Sequence, residues 1–351
     1  MASGDRPNHR RAIVVVLLLN LVALALGEAL ARSFHVPDRM SGFARRMIVV
    51  TDDPDLAYYL RADYETVARG MHVRLNSHGM RGPDVPDAPA PGVRRVLALG
   101  GSTTFGEALA EEEAWPAVLE RELEMRTGEP YEVLNAGVEG YNTSAELAFL
   151  EQRGLPLQPD IVVVGFSLDD GNWSPVMGPL GVLVRDHEKR VSANSLTNRS
   201  SLFLSLKLLP TFGWGFLSTD LSAQKRKNTD RESNLERWMS ERRKSFFRER
   251  PAGRWELMVE SLRRFGEVGR ENGIRVLIAI LPDADQVDAA DPDLLPQETL
   301  LGLCRELRLE CLDLRPAMDR PGLFLDGVHP NARGYRVIAE TIADRLAPGS
   351  W

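Results

Sequence analysis

From Arg94 onward, short β-branched or leucine-rich runs alternate with helical patterns, and this alternation restricts the fold more than any other feature of the chain. The runs are Val96–Leu99, Val133 and Leu134, Ile161–Val164, Val276–Leu281 and Cys311–Leu314. They are almost continuously apolar, as strands covered on both faces must be. Strands of this kind that alternate with helices form a parallel sheet. The intervening segments carry helix signals of their own. Pro116 suits a first helical turn and Gly128 a C-terminal cap, with Trp115, Leu119 and Leu123 on one face between them. Thr143 and Glu146 fit a capping box. A third helix runs from about Trp255 through Met258, Leu262 and Phe265 to the Asn272-Gly273 stop, and a last one starts near Pro330 and turns Ile338, Ile342 and Leu346 inward. The expected fold is a three-layer α/β/α domain on a five-stranded parallel sheet.

Ahead of this domain stands an apolar run, Ala12–Ala31, broken only by Asn20, Gly27 and Glu28 and preceded by Arg10 and Arg11. Twenty helical residues span about 30 Å, the thickness of a bilayer's hydrocarbon core. Residues 12–31 are therefore expected to be a transmembrane anchor, with 1–11 on the cytoplasmic side. The alternative is a signal peptide cleaved after Ala29-Leu30-Ala31. Either way the remainder is exported to the extracytoplasmic side, although Arg32, Arg39, Arg45 and Arg46 offset the positive charge before the run. Residues 32–92 are expected to form a juxtamembrane lead-in that ends in a proline-rich linker, Pro83–Pro91. The compact domain then occupies 93–351.

Residues 171–253 interrupt the strand-helix rhythm and are expected to be an inserted cap. Within them and just beyond, Leu221–Arg254 holds 11 Lys or Arg against 5 Asp or Glu in a chain of net charge -7. Leu235, Trp238, Met239 and Phe246 give the segment an apolar stripe. It is either a helix packed on the domain or a surface for anionic lipid headgroups or polysaccharide. The acidic net charge excludes the global basic field typical of nucleic-acid binding. Cys304 and Cys311 lack the spacing and histidine partners of a zinc site, and are a small disulfide or two separate thiols. Neither a metal nor a cofactor is expected.

Two constellations carry chemistry. Ser102 follows the first strand in Leu99-Gly100-Gly101-Ser102-Thr103-Thr104, at the carboxyl end of a strand, where α/β sheets bind their ligands. It fits neither a G-x-S-x-G elbow nor a P-loop, and a Gly-Gly-Ser turn without chemical role is the plain alternative. The second constellation is Asp326-Gly327-Val328-His329-Pro330, just before the last helix. A serine hydroxyl needs a base, and the base needs a partner that holds its tautomer. Metal ligation and helix capping are the competing roles for these two residues.

Taken together, these blocks resemble the SGNH, or GDSL, hydrolases over residues 94–346. Gly100-Gly101-Ser102-Thr103-Thr104 corresponds to the nucleophile block, with Gly101 where that family often has Asp. Asn135-Ala136-Gly137 corresponds to the block whose glycine N–H joins the oxyanion hole, and Gly165–Asp170 to the block that ordinarily ends in Asn-Asp. Asn76-Ser77-His78-Gly79-Met80-Arg81-Gly82 is similar to a segment of bacterial membrane-linked members. The resemblance implies a nucleophilic Ser102, His329 as base, Asp326 as its partner, and an oxyanion hole from Ser102, Gly137 and the position held here by Asp169. A carboxylate there would repel an oxyanion, so either Asp169 is protonated, or Asn172 or Ser167 takes its place, or the enzyme is weak or specialised. The expected activity is hydrolysis of an acylated glycan or lipid at the cell envelope. The alternatives are an O-acyltransferase with the same residues and a catalytically silent, anchored glycan-binding module.

Overall fold

The strands β5 (Arg94–Gly100), β6 (Tyr131–Gly137), β7 (Ile161–Phe166), β10 (Arg275–Ile280) and β11 (Glu310–Asp313) form one parallel sheet in the order 11-10-7-5-6. The structure is a computed structural model and describes residues 9–33, 47–171 apart from 52, 54, 69 and 70, short pieces between 176 and 206, and 240–347. Those short pieces include a paired β8 (Val176–Met177) and β9 (Leu183–Val184).

Successive side chains of a strand point to opposite faces, and the two cores divide accordingly. Leu97, Leu99, Val162, Val164, Ile278 and Ile280 pack on one face with Phe149 of α4 (Thr143–Phe149) and with Met258, Leu262 and Phe265 of α6 (Arg254–Asn272). Val96, Ala98, Ile161, Val163, Leu277 and Ala279 pack on the other. Their partners there are Trp115, Leu119 and Leu123 of α3 (Trp115–Thr127) and Ile338, Ile342 and Leu346 of α9 (Ala332–Leu346). This is the expected three-layer arrangement. The helix stops fall where glycine was expected: Gly128 (φ 71) and Gly273 (φ 68) are both left-handed.

Two local expectations change. The cap of α4 is Asn142, whose side chain accepts from Ala145 N–H, while Glu146 is fully buried instead of closing a capping box. Among the described residues the main core takes in side chains from Met47 onward, and so includes part of the expected lead-in 32–92. β1 (Ile48–Val50) pairs with β2 (Tyr58–Leu60), and β3 (Tyr64–Ala68) with β4 (Met71–Leu75). Met47, Tyr58, Leu60, Val73, Leu75 and Met80 join the same core as α4 and α6. The proline-rich stretch 83–91 holds neither helix nor strand. Within the insertion, the described helix α5 (240–249) packs on the domain. Phe246 is buried against Phe247 and Trp255, and Arg243 and Lys244 pair with Asp283 and Asp285. Leu235, Trp238 and Met239 lie outside the described residues.

Cys304 and Cys311 form a disulfide between α8 (Leu295–Leu307) and β11. At the other end of the chain, α1 (His9–Ser33) contains a 20-residue stretch, Val14–Ser33, of mean hydropathy 2.4 that is 6% buried. It is long and apolar enough to cross a membrane.

Candidate active site

β5 ends at Gly100, whose φ of 155° and contact with the Thr104 side chain leave no room for a Cβ. The chain then makes a single helical turn, α2 (Ser102–Phe105), and leaves it through Gly106 at φ 84. That turn brings Ser102 to the carboxyl edge of the sheet, with its backbone N–H unbonded among the described residues.

Ser102 Oγ lies 2.9 Å from His329 Nε2, across 227 residues of sequence. His329 Nδ1 lies 2.8 Å from Asp326 Oδ2. The turn that carries both residues is tightly held: Asp326 Oδ1 accepts from Val328 N–H (2.8 Å) and His329 N–H (2.7 Å), and Leu325 N–H donates to His329 O (2.8 Å). Asn331 caps α9 directly behind it. Partial desolvation pushes the Asp326 carboxyl up, but the hydrogen bond and charge of His329, with the two backbone donors, bring it down to about 2. An ionised Asp326 only accepts, so it fixes the proton of a neutral ring on Nδ1. Nε2 is then left to accept the Ser102 proton.

The other expected site residues are placed differently. Gly137 is at the end of β6, where a Cβ would meet Phe105 N at 2.2 Å, so glycine there permits the close approach of β6 to α2. Its N–H donates to Asn135 Oδ1 (3.1 Å) and is turned to that side chain. The backbone beside Gly101 is instead the turn Val138–Tyr141, closed by Tyr141 N–H to Val138 O and reversed at Gly140 (φ 80). Asp169 faces the guanidinium of Arg243 at 3.8 Å; Arg243 is itself buried and bonded to Asp283 at 2.6 Å. The negative charge at position 169 is thus matched by a cation from the insertion, a pairing that no local pattern in the sequence signals. Ser167 gives both its N–H and its hydroxyl to Asp170 (2.8 and 2.9 Å), so it does not substitute for a donor at 169. Asn172 lies outside the described residues.

Behind Gly101 sits a buried acidic pair, Glu146 and Asp170, both pushed well up by burial first and by their proximity to other carboxylates. An Asp at position 101 would add another carboxylate close to Asp170 Oδ1, which lies 3.9 Å from where a Cβ at Gly101 would stand. This gives a physical reason for glycine at that position.

Two further residues belong to the site. Arg81, from the Asn76–Gly82 segment, is 3% exposed and crosses to the nucleophile turn. Its Nη1 donates to Phe105 O and Gly106 O and its Nη2 to Leu109 O, each at 2.7 Å. Its backbone N–H donates to Asn135 O, which joins the segment to β6. Glu107, five residues after Ser102, is buried with Oε2 3.5 Å from His329 Nε2. The sequence signal for Glu107 was only its closeness to Ser102.

The chain resembles solved structures at low identity. A lipase/acylhydrolase from Enterococcus faecalis is 15% identical, with 72% of this chain and 95% of that one covered and a TM-score of 0.40. A catalytic mutant of Axe2, an acetylxylan esterase from Geobacillus stearothermophilus, is 11% identical (71% and 92% covered, TM-score 0.42), and TesA is 15% identical (73% and 99%, TM-score 0.42). A search of curated proteins gave no match. The profile of the GDSL-like lipase/acylhydrolase family matches residues 98–337, from the strand before Ser102 to beyond His329. The chain belongs to that family and is an ester hydrolase of the GDSL type.

Proposed function

We propose that the protein is an exported serine esterase that removes acyl groups from a glycan or lipid at the cell envelope, with Ser102 as nucleophile, His329 as general base and Asp326 as the partner of His329. The observation that carries this reading is the hydrogen-bonded chain from Ser102 Oγ through the imidazole to Asp326. In the first step His329 Nε2 takes the Ser102 proton as Oγ attacks the ester carbonyl, and the carbonyl π electrons move to oxygen. The resulting imidazolium is stabilised by Asp326 and gives its proton to the departing alkoxide as the C–O bond breaks. Water, activated in the same way, then releases the acyl group from Ser102. The Ser102 N–H, unbonded among the described residues, is one donor for the oxyanion.

A fluorophosphonate probe tests the nucleophile. The purified chain is expected to hydrolyse short-chain nitrophenyl esters and to lose that activity as one phosphonyl group is added to the peptide containing Ser102. Modification elsewhere, with turnover unaffected, would remove Ser102 from its assigned role.

Export rests on α1. We read α1 as an uncleaved anchor with the domain on the extracytoplasmic side; what supports this is an apolar helix long enough to cross a membrane with Arg10 and Arg11 ahead of it. A reporter enzyme active only outside the cytoplasm, fused after Trp351, should be active. Activity of a cytoplasm-only reporter at the same junction would reverse the assignment.

A further inference from the structure

Asp326 is not alone in facing the His329 ring. Asp326 Oδ2 lies 2.8 Å from Nδ1, and Glu107 Oε2 lies 3.5 Å from Nε2, the nitrogen that also meets Ser102 Oγ. The Glu107 side chain is 7% exposed, and an acid that buried is rarely without a task. Its backbone is tightly held. Glu107 N–H donates to Ser102 O (3.2 Å), so the acid and the nucleophile share one turn. Gly106 before it and Ala108 after it (φ 65) are both left-handed, a conformation that a non-glycine residue adopts at a cost. Arg81 fixes the carbonyls of Phe105, Gly106 and Leu109 on either side.

We propose that Glu107 is a positioning residue for the proton transfer between Ser102 and His329, acting through the imidazole; this rests on the roles given above to those two residues. When the Ser102 proton moves to Nε2, the ring gains a positive charge between two carboxylates. Glu107 stabilises that charge from the side on which the proton arrives, and gives the Nε2–H an acceptor until the leaving alkoxide takes the proton. Among the described residues, the charged and titratable groups around the ring are Asp326 on Nδ1, Glu107 on Nε2, the Arg81 guanidinium behind the loop of Glu107, and the buried Tyr335 hydroxyl, which feels both Arg81 and Asp326.

A negative charge beside imidazole favours its protonated form. Loss of the Glu107 charge should therefore show in the acid limb of kcat/KM, which reports the base of the free enzyme. Glu107→Gln keeps the shape and removes the charge. In the full chain in detergent, with nitrophenyl acetate as substrate, the acid limb is expected to move down by about half to one pH unit, and plateau kcat to fall roughly tenfold. KM and Tm should stay near wild type. Glu107→Asp keeps the charge but draws it back by one methylene, so it should move the limb in the same direction by less. A purely structural acid would lower Tm and leave the limb in place. An unmoved limb in Glu107→Gln, or in Glu107→Asp should the first variant fail to fold, overturns this inference alone. Wild type without Ser102-dependent turnover overturns the reading of the site and this inference with it.

Discussion

Ser102→Ala and His329→Ala are each expected to reduce turnover of a nitrophenyl ester by at least roughly a thousandfold, because each removes one half of the proton-transfer pair. The double variant should be no worse than the poorer single one, since the two side chains act as a unit and neither contributes without the other. The fold should survive both changes. Among the described residues the Ser102 hydroxyl bonds only His329, and losing one partly exposed hydrogen bond costs about 1 kcal/mol. In His329→Ala the Asp326 carboxylate keeps the backbone N–H groups of residues 328 and 329, so the turn before α9 remains closed. Turnover, phosphonate labelling and thermal melting measured on the same preparations separate the two effects. More than a few per cent of wild-type turnover in Ser102→Ala, at unchanged Tm, would rule out Ser102 as the nucleophile.

The sheet was legible in the sequence because burial on both faces leaves a continuous apolar run, a local property. The same holds for helices marked by Gly128 and Gly273, where one residue's backbone freedom sets the stop. Ser102 and the Asp326-His329 turn could be singled out because each lies at a fixed place relative to a strand or helix, and the structure brings all three side chains into contact. What could not be read depends on pairing between distant segments. Arg243 meets Asp283 across 40 residues, and Arg81 reaches carbonyls 24 to 28 residues away, with no periodicity to announce either. Gly137 shows a different limit. A glycine after a strand is compatible with an open N–H or with close packing, and only the contact with Phe105 N tells which. Residues 47–81, within the expected lead-in 32–92, do not announce themselves as core because their strands are short and their apolar residues scattered. The burial of Met47, Leu60 and Met80 against the main core appears only once the chain has folded back.

Arg81→Ala is expected to be the most damaging substitution outside the reacting groups. The guanidinium has three hydrogen bonds to backbone carbonyls and lies 4.9 Å from the centre of the Phe105 ring. Burial pushes its pKa down from the usual arginine range, yet the side chain stays charged at any ordinary pH. Removing it leaves Leu109 O without a donor among the described residues and takes the shorter of two bonds from Phe105 O and Gly106 O, which keep Asn135 Nδ2 and Leu109 N–H (3.3 Å each), at about 1–3 kcal/mol for a group left unsatisfied. Partial relaxation of the loop makes roughly 3–5 kcal/mol the expected total, a large share of the 5–15 kcal/mol that holds a typical domain together. At roughly 2–4 °C per kcal/mol for a domain of this size, Tm should drop by about 10 °C. Turnover should fall further than stability explains. The loop that Arg81 holds begins at Ser102 and carries Glu107, and a displacement of about 1 Å at a reacting group costs on the order of a hundredfold. Arg81→Lys separates charge from shape: an ammonium cannot span the carbonyls of Phe105 and Leu109 as the planar fork does, so it should recover only part of both losses. Below the melting temperature of Arg81→Ala, millimolar guanidinium, far under denaturing concentrations, should restore some turnover by occupying the vacated space. Wild-type Tm and turnover in Arg81→Ala would mean that the loop stands without its clamp, and that the Asn76–Gly82 segment is not what holds Ser102 in place.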